Sequence, residues 1–561
     1  MIIIYKKHFL LLISLLATNV VWSQDRGRSY QNGMVVCAYP DASKVGLDIL
    51  KKGGNAVDAA VAVQFALAVV HPSAGNIGGG GFMVYRSAKG QTSALDFREK
   101  APAAASANMY LDATGNVITD MSLATQAASG VPGSVEGMVV AHKRYGKLKW
   151  AELVEPAIKL AAKGFKVTAR LATELNNQRN TFIKSNPGKR YLLKDSPWAA
   201  GDVLIQQDLA KTLQLIIDNG RAGFYAGKTA DAIVAEMKKG NGIISKADLA
   251  NYRSVWRTPI QGKFKEYTIT TMPPPSSGGV ALMQLLRSVE RYPLSRWGYN
   301  ADSTVQLMVE AERRVYADRS KYLGDPDFYK VPVDSLLRPL YLEQRMSSFN
   351  WNAATPSSTI KAGTFKGYES DQTTHFSIVD KAGNAVAITT TLNGSYGSKI
   401  FVGGAGFLLN NEMDDFSAKA GTPNMYGLIG GKANSIEPGK RMLSSMTPTI
   451  VSKNGELFMV VGTPGGSTII TSVYQTILNV IEFDMDIQQA VSAKRFHHQW
   501  LPETVDAEYG ALSPEVKEIL EKKGYVIKEG VTIGRVDAIL KTKSGYQGGA
   551  DPRGDDTAMG W

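Results

Sequence analysis

A threonine hydroxyl attacks a carbonyl only when a base removes its proton, and one stretch of this chain sets out threonines as if for that purpose. Residues 369–393, ESDQTTHFSIVDKAGNAVAITTTLN, read as two strands around a DKAGN turn. Phe376 and Ile378 on the first strand and Val386 and Ile388 on the second have to share one apolar face. That pairs Ile378 with Val386 and Phe376 with Ile388. The same register sets Thr374 opposite Thr390 and Thr373 opposite Thr391, the latter pair on the face away from the apolar side chains. A turn of different length would shift the pairing by two residues and keep that parity. Strand propensity alone explains threonines in such a stretch; a supply of base would make them chemistry.

None of the six histidines (His8, His71, His142, His375, His497, His498) stands in a nucleophile-elbow or HExxH context. The other base available to a threonine is its own α-amino group, whose pKa near ~8 suits proton abstraction at neutral pH. Thr373 acquires one only if the Gln372–Thr373 bond is cut, and the polar run GYESDQ before it suits an exposed lead-in.

Other motifs supply what an acyl transfer would need. FMVVGTPGGSTIITSVYQTIL reads as strand, glycine turn and helix, so the amides of Gly465 and Gly466 form a candidate cradle for an oxyanion. It lacks the pattern of a phosphate loop. In NNEMDDFS, Glu412, Asp414 and Asp415 cluster, either as a solvated turn or as a receptor for a cationic group; the spacing does not fit a calcium loop. Ser444 and Ser445 in KRMLSSMTP, with Arg98 at the end of the strand in LDFREKAP, are the groups that hold a carboxylate. Together these describe a receptor for an α-amino acid beside an acyl-transfer site. AGFYAGKTA, residues 222–230, fits the loosest Walker pattern with Gly227, Lys228 and Thr229, but a helical pattern rather than a strand precedes it.

The elements that position these groups alternate helices with hairpins. NAVDAAVAVQFALAVVH reads as a buried helix capped by Asn55, and residues 78–99 as a hairpin closed near Lys89–Gly90. AELVEPAIKLAAKGF, LAKTLQLIIDNG, VALMQLLRSVERY and STIITSVYQTILNVIEF have helical periodicity. ADSTVQLMVEAERRVYADRSKYL predicts a long amphipathic helix capped by Asp302 or Ser303. From about Asp371 strands dominate. The pattern predicts α+β architecture, an antiparallel sheet system covered by helices on both faces.

Composition bounds the rest. The first residues, with Lys6 and Lys7, an apolar run and Val21 and Ser23 at signal-peptidase spacing, predict a secretory signal cut after Ser23. No later segment has the length and purity of a membrane span. The one cysteine, Cys37, sits in an apolar run and reads as a core residue, so stability rests on packing rather than disulfides. The formal net charge of +12 is scattered rather than clustered, which argues against a nucleic-acid surface.

Ten motifs in one order (GGNAVDAAVA, GGGGF, DFREKAP, PPPSSGG, TTHFSIVD, NNEMDDFS, SSMTPTIV, GTPGGS, RFHHQWLP, DPRGDD) make the chain similar to the γ-glutamyltranspeptidases of the N-terminal nucleophile hydrolases. The resemblance implies a four-layer αββα sandwich. It implies a signal at 1–23 and self-cleavage into a large subunit, 24–372, and a small subunit, 373–561, that stay together as a heterodimer. By the same resemblance Thr373 is the nucleophile, Thr391 its supporting hydroxyl, and Gly465 and Gly466 the oxyanion hole. Arg98, Ser444 and Ser445 would hold the α-carboxylate of a γ-glutamyl group, and Asn393, Glu412 and Asp415 its α-amino group. Residues 418–434 resemble a lid, with Tyr426 as its gate. The implied substrates are glutathione and related γ-glutamyl compounds, with water, amino acids or peptides as acceptors, without cofactor, metal, nucleic acid or membrane anchor, in the periplasm or the medium. Rival readings are a glutaryl-cephalosporin acylase of the same superfamily and an inactive exported binding protein for amino acids or peptides.

Overall fold

The computed structural model describes residues 28–360, 373–417, 419, 425 and 431–561; the signal, Gln372 and Tyr426 lie outside the described residues. Two antiparallel sheets face each other. The first has seven strands in the order Thr557–Gly560, Met34–Cys37, Thr374–Val379, Ala385–Thr391, Gly80–Arg86, Thr92–Asp96 and Val255–Arg257. The second has six, in the order Gly545–Gly549, Asp537–Thr542, Glu456–Gly462, Thr449–Lys453, Tyr267–Thr271 and Ile260–Phe264. Helices cover both outer faces, so the layers run αββα.

Alternation along the strands builds three apolar layers from one pattern. Phe376, Ile378, Val386 and Ile388 turn outward and pack with helix Ala56–Val70. Their neighbours Val379, Ala385 and Ala387 turn inward and meet Ile450, Val460 and Ile539 of the other sheet. On the far side, Val451, Met459 and Val461 pack under helices Gly278–Val289 and Thr468–Ile481. The predicted register holds: Val386 pairs with Ile378, Ile388 with Phe376 and Thr390 with Thr374.

Helix Ala56–Val70 is buried along its whole length, and Asn55 caps it by accepting the N–H groups of Val57 and Asp58. The helix Asp302–Tyr322 differs from expectation twice. Its N-cap is Ala301, with no side-chain cap, and Asp302 is its first helical residue. It is also not amphipathic, because every residue from Thr304 to Ser320 is buried, charged ones included. Several of its charges are matched inside: Arg314 donates to Glu310 at 2.5 Å and Arg345 pairs with Asp318 at 3.1 Å.

The Walker-like run spans helix Ala222–Tyr225 and the start of helix Gly227–Met237, with Thr229 donating to the Gly223 carbonyl. No strand feeds it, so it is a helix junction. Cys37 is buried against Ser43, and burial pushes its thiol up to about 12. Among the described residues no helix is long and apolar enough to cross a membrane.

Phe82 is fully buried in the layer between the sheets. Phe82→Ala is expected to cost about 3–5 kcal/mol, read as a lower chemical-denaturation midpoint by far-UV circular dichroism; an unchanged midpoint would contradict tight inter-sheet packing.

Candidate active site

Thr373 immediately precedes strand Thr374–Val379 and is 8% exposed. The ladder closes one pair short of the expected Thr373–Thr391 step, at Thr374–Thr390, and Thr391 pairs on its other side with Gly80. The chain leaves the strand there, turning through Asn393 at φ 71°. Thr373 and Thr391 nevertheless line one cavity. Asn76 fixes the end of that strand by donating to the Thr391 carbonyl at 2.9 Å and to Thr390 Oγ1 at 3.2 Å. Gly79 lets it come that close: a Cβ there would lie 2.0 Å from the Thr391 carbonyl oxygen. Thr391 Oγ1 accepts the Asn393 N–H at 2.7 Å.

The inward face of the central strands carries polar groups that satisfy one another. His375 bonds Thr389 Oγ1 at 2.9 Å and Ser377 Oγ at 3.1 Å. Burial lowers its pKa to about 3. With both ring nitrogens occupied and the ring neutral, His375 is not a base for Thr373.

Strand Glu456–Gly462 runs into the glycine turn and then helix Thr468–Ile481. Gly465 and Gly466 both take positive φ, 134° and 54°. A Cβ on Gly465 would meet Thr468 Oγ1 at 2.4 Å. Gly466 lines the cavity shared by Thr373 and Thr391, whereas Gly465 lines a second cavity that also touches Thr373. The two glycines therefore flank the threonine.

Arg98 is the electrostatic centre. It is 1% exposed and binds Glu412 through Nη1 and Asp415 through Nη2, the latter at 2.5 Å, with Glu99 at 3.6 Å. Burial opposes its charge, but the three carboxylates outweigh burial and raise its pKa. Burial drives the carboxyls the other way: Glu412 goes well above the usual range and Glu99 up to about 7. One guanidinium thus faces three acids. Nε and Nη2 also donate to the Met442 and Leu443 carbonyls at 3.4 and 3.2 Å, which ties Arg98 to the segment bearing Ser444 and Ser445. A ligand carrying an ammonium beside a carboxylate would offer each of these partners a counter-charge without adding net charge.

Nine of the residues singled out from the sequence line this one cavity: Arg98, Thr373, Thr391, Asn393, Glu412, Asp415, Ser444, Ser445 and Gly466. Asp414, in the same acidic turn, points elsewhere, to Ser122 Oγ at 2.6 Å and the Met425 N–H at 2.7 Å. Sequence reasoning missed Arg319 and Asn434. Arg319 comes from the buried helix Asp302–Tyr322 and donates to Ser445 Oγ at 2.9 Å and Ser277 Oγ at 2.8 Å. Asn434 bridges the acidic turn to the serine segment, donating to the Asp415 carbonyl and accepting the Leu443 N–H.

Facing sheets between helical layers, with a threonine at the head of a central strand, define the N-terminal nucleophile hydrolase fold. Within it the chain belongs to the gamma-glutamyltranspeptidase family, whose model matches residues 42–561. It is 47% identical over 535 residues to a glutathione hydrolase proenzyme of Escherichia coli, covering 95% of this chain and 92% of that one. A cephalosporin acylase from Bacillus halodurans superposes with a TM-score of 0.84 at 26% identity over 97% and 98% of the two chains. A gamma-glutamyltranspeptidase chain from Helicobacter pylori matches with a TM-score of 0.57 at 48% identity, covering 58% of this chain and 94% of that one.

Arg98→Gln leaves the buried acids without their cation and is expected to destabilise the fold by about 3–5 kcal/mol. Adding Glu412→Gln removes one stranded carboxyl and should recover part of that loss. Equal melting temperatures for wild type and the single variant would show that Arg98 does not neutralise the cluster.

Proposed function

We propose that the chain is an exported precursor that cuts its own Gln372–Thr373 bond and then works as a γ-glutamyltransferase and glutathione hydrolase. The freed Thr373 uses its α-amine as base and its hydroxyl as nucleophile. The observation that carries the reading is the meeting of Thr373, Gly466 and the Arg98–Glu412–Asp415 cluster around one cavity, with Gly465 on the other side of Thr373. In the reaction Thr373 Oγ attacks the γ-carbonyl of glutathione or a related γ-glutamyl amide. Its proton passes to the α-amine and on to the departing amine. The Gly465 and Gly466 amides bond the developing oxyanion, a contribution worth roughly 100- to 1000-fold in rate per donor. Water or an acceptor amine then attacks the γ-glutamyl ester and releases Thr373.

Arg98, Ser444 and Ser445 hold the substrate α-carboxylate in this reading, with Asn393, Glu412 and Asp415 on the ammonium. Thr391 steadies the nucleophile. The division into residues 24–372 and 373–561 is supported by the H. pylori chain, which matches 58% of this one over nearly its full length. A glutaryl group, the acyl part of the acylase alternative, has no ammonium and would bring no charge to meet Asp415. The proposed residence is the periplasm or the medium, as the signal-like start supports.

Intact-mass measurement tests the reading. Wild type should give two fragments, one beginning at Thr373, and Thr373→Ala a single chain. The processed protein should release p-nitroaniline from γ-glutamyl-p-nitroanilide and leave glutaryl cephalosporins untouched. A folded wild-type chain that stays whole yet binds amino acids would make it an inactive binding protein instead.

A further inference from the structure

The reaction as proposed leaves the PPPSSGG run, residues 273–279, without a task. That run leads into helix Gly278–Val289 and lies edge to edge with the segment bearing Ser444 and Ser445. The Ser444 N–H donates to the Pro275 carbonyl at 3.0 Å, and the Ser277 N–H donates to the Ser444 carbonyl at 2.7 Å. Ser276 Oγ reaches the Met446 carbonyl at 2.6 Å. Gly278 permits the approach: a Cβ there would lie 2.2 Å from Thr447 Oγ1. These contacts fix the backbone of the serine segment, and only the two hydroxyls remain to be oriented.

A serine hydroxyl has one hydrogen to give and two lone pairs that receive. Ser444 Oγ accepts the Met446 N–H at 3.1 Å, and Ser445 Oγ accepts from Arg319 Nη2 at 2.9 Å. An amide N–H and a guanidinium only donate, so both hydroxyls keep their own hydrogens. Neither hydrogen meets an acceptor among the described residues, although both serines are buried and line the cavity with Thr373. Two buried donors facing one space suit a carboxylate, which only accepts. Arg319 is the firmer of the two backstops. It is buried in helix Asp302–Tyr322, and its Nε donates to Ser277 Oγ at 2.8 Å, which in turn donates to the Ser444 carbonyl at 2.6 Å. A cation behind a hydroxyl polarises the O–H and strengthens the bond that it gives.

We infer that Arg319 is a positioning residue for the carboxylate end of the substrate. By donating to Ser445 it turns the hydroxyl hydrogen toward the cavity and strengthens its bond to an anion. The site then prefers a γ-glutamyl group with a free α-carboxylate over the same group as its α-carboxamide. The inference rests on the γ-glutamyl reading above, which gives Ser444 and Ser445 the α-carboxylate. A carboxamide carries no charge and sets one accepting oxygen beside an NH2 that cannot accept, so only one of its two atoms can receive a hydroxyl hydrogen. The PPPSSGG run acquires its task here, because Ser277 joins Arg319 to the backbone of the segment that Arg319 orients.

Processed enzyme is assayed on γ-glutamyl-p-nitroanilide and on its α-carboxamide analogue, and the readout is the ratio of the two kcat/KM values. Wild type should favour the acid by about 10- to 100-fold. Arg319→Gln should shrink that ratio several-fold, mainly through a higher KM for the acid. In a Ser445→Ala background the same substitution should change the ratio little, because Arg319 acts through that hydroxyl. A merely structural loss would slow both substrates alike. Equal use of the two substrates by wild type, a ratio unchanged in Arg319→Gln, or an undiminished effect in the Ser445→Ala background overturns the assignment. Should Arg319→Gln give no folded protein, the serines carry the test. Ser445→Ala should then lower the ratio more than Ser444→Ala, since a guanidinium backs only Ser445, and equal losses overturn the assignment. If wild type releases no p-nitroaniline from either substrate, it is the γ-glutamyl reading that fails, and the role of Arg319 falls with it.

Discussion

The central pair of strands is buried on both faces, and most of the structure answers to that constraint. A strand alternates sides with a period of two, so apolar residues on one parity commit the other parity to the gap between the sheets. Phe376, Ile378, Val386 and Ile388 take the helix side. His375, Ser377 and Thr389 are therefore forced into the interior, where water cannot serve them, and they bond one another and the facing sheet. Unpaired polar groups at such depth would each cost about 1–3 kcal/mol. The network holds the strand rigidly up to Thr373, where the sheet ends and the cavities begin.

Arg98 performs the corresponding task among the loops. It gathers the acidic turn at 412–415 and the segment at 442–445 around one guanidinium, though these are more than 300 residues away in the chain. Their shared dependence on one cation explains why so many acids survive burial. A zwitterion could exchange with the internal pairs of this arrangement without leaving any group bare. Stability of the loops and, in the proposed function, recognition of an amino-acid head group draw on the same contacts.

The helix Asp302–Tyr322 shows where local pattern misleads. Its many charges read as a solvated face, but the fold packs other elements around it and matches several of the charges internally. Arg319 belongs to this set and reaches Ser445 from it. The second cavity has the same origin: Arg170 comes from a part of the chain far from Arg535 and Arg553, and no motif joins the three.

The sequence alone determined the hairpin register, the glycine turn before a helix, the layered α+β class and nine of the residues around the cavity. Each of these depends on nearest neighbours, on a period of two or 3.6, or on a motif a few residues long. Tertiary structure decided that Arg98 sits among the acids it was expected to complement, that Asp414 turns away, and that Arg319 and Asn434 join the site. It also decided that Thr373 opens onto two cavities. Those outcomes follow from which distant segments share a buried volume and must cancel one another's charge, and local periodicity carries no record of that.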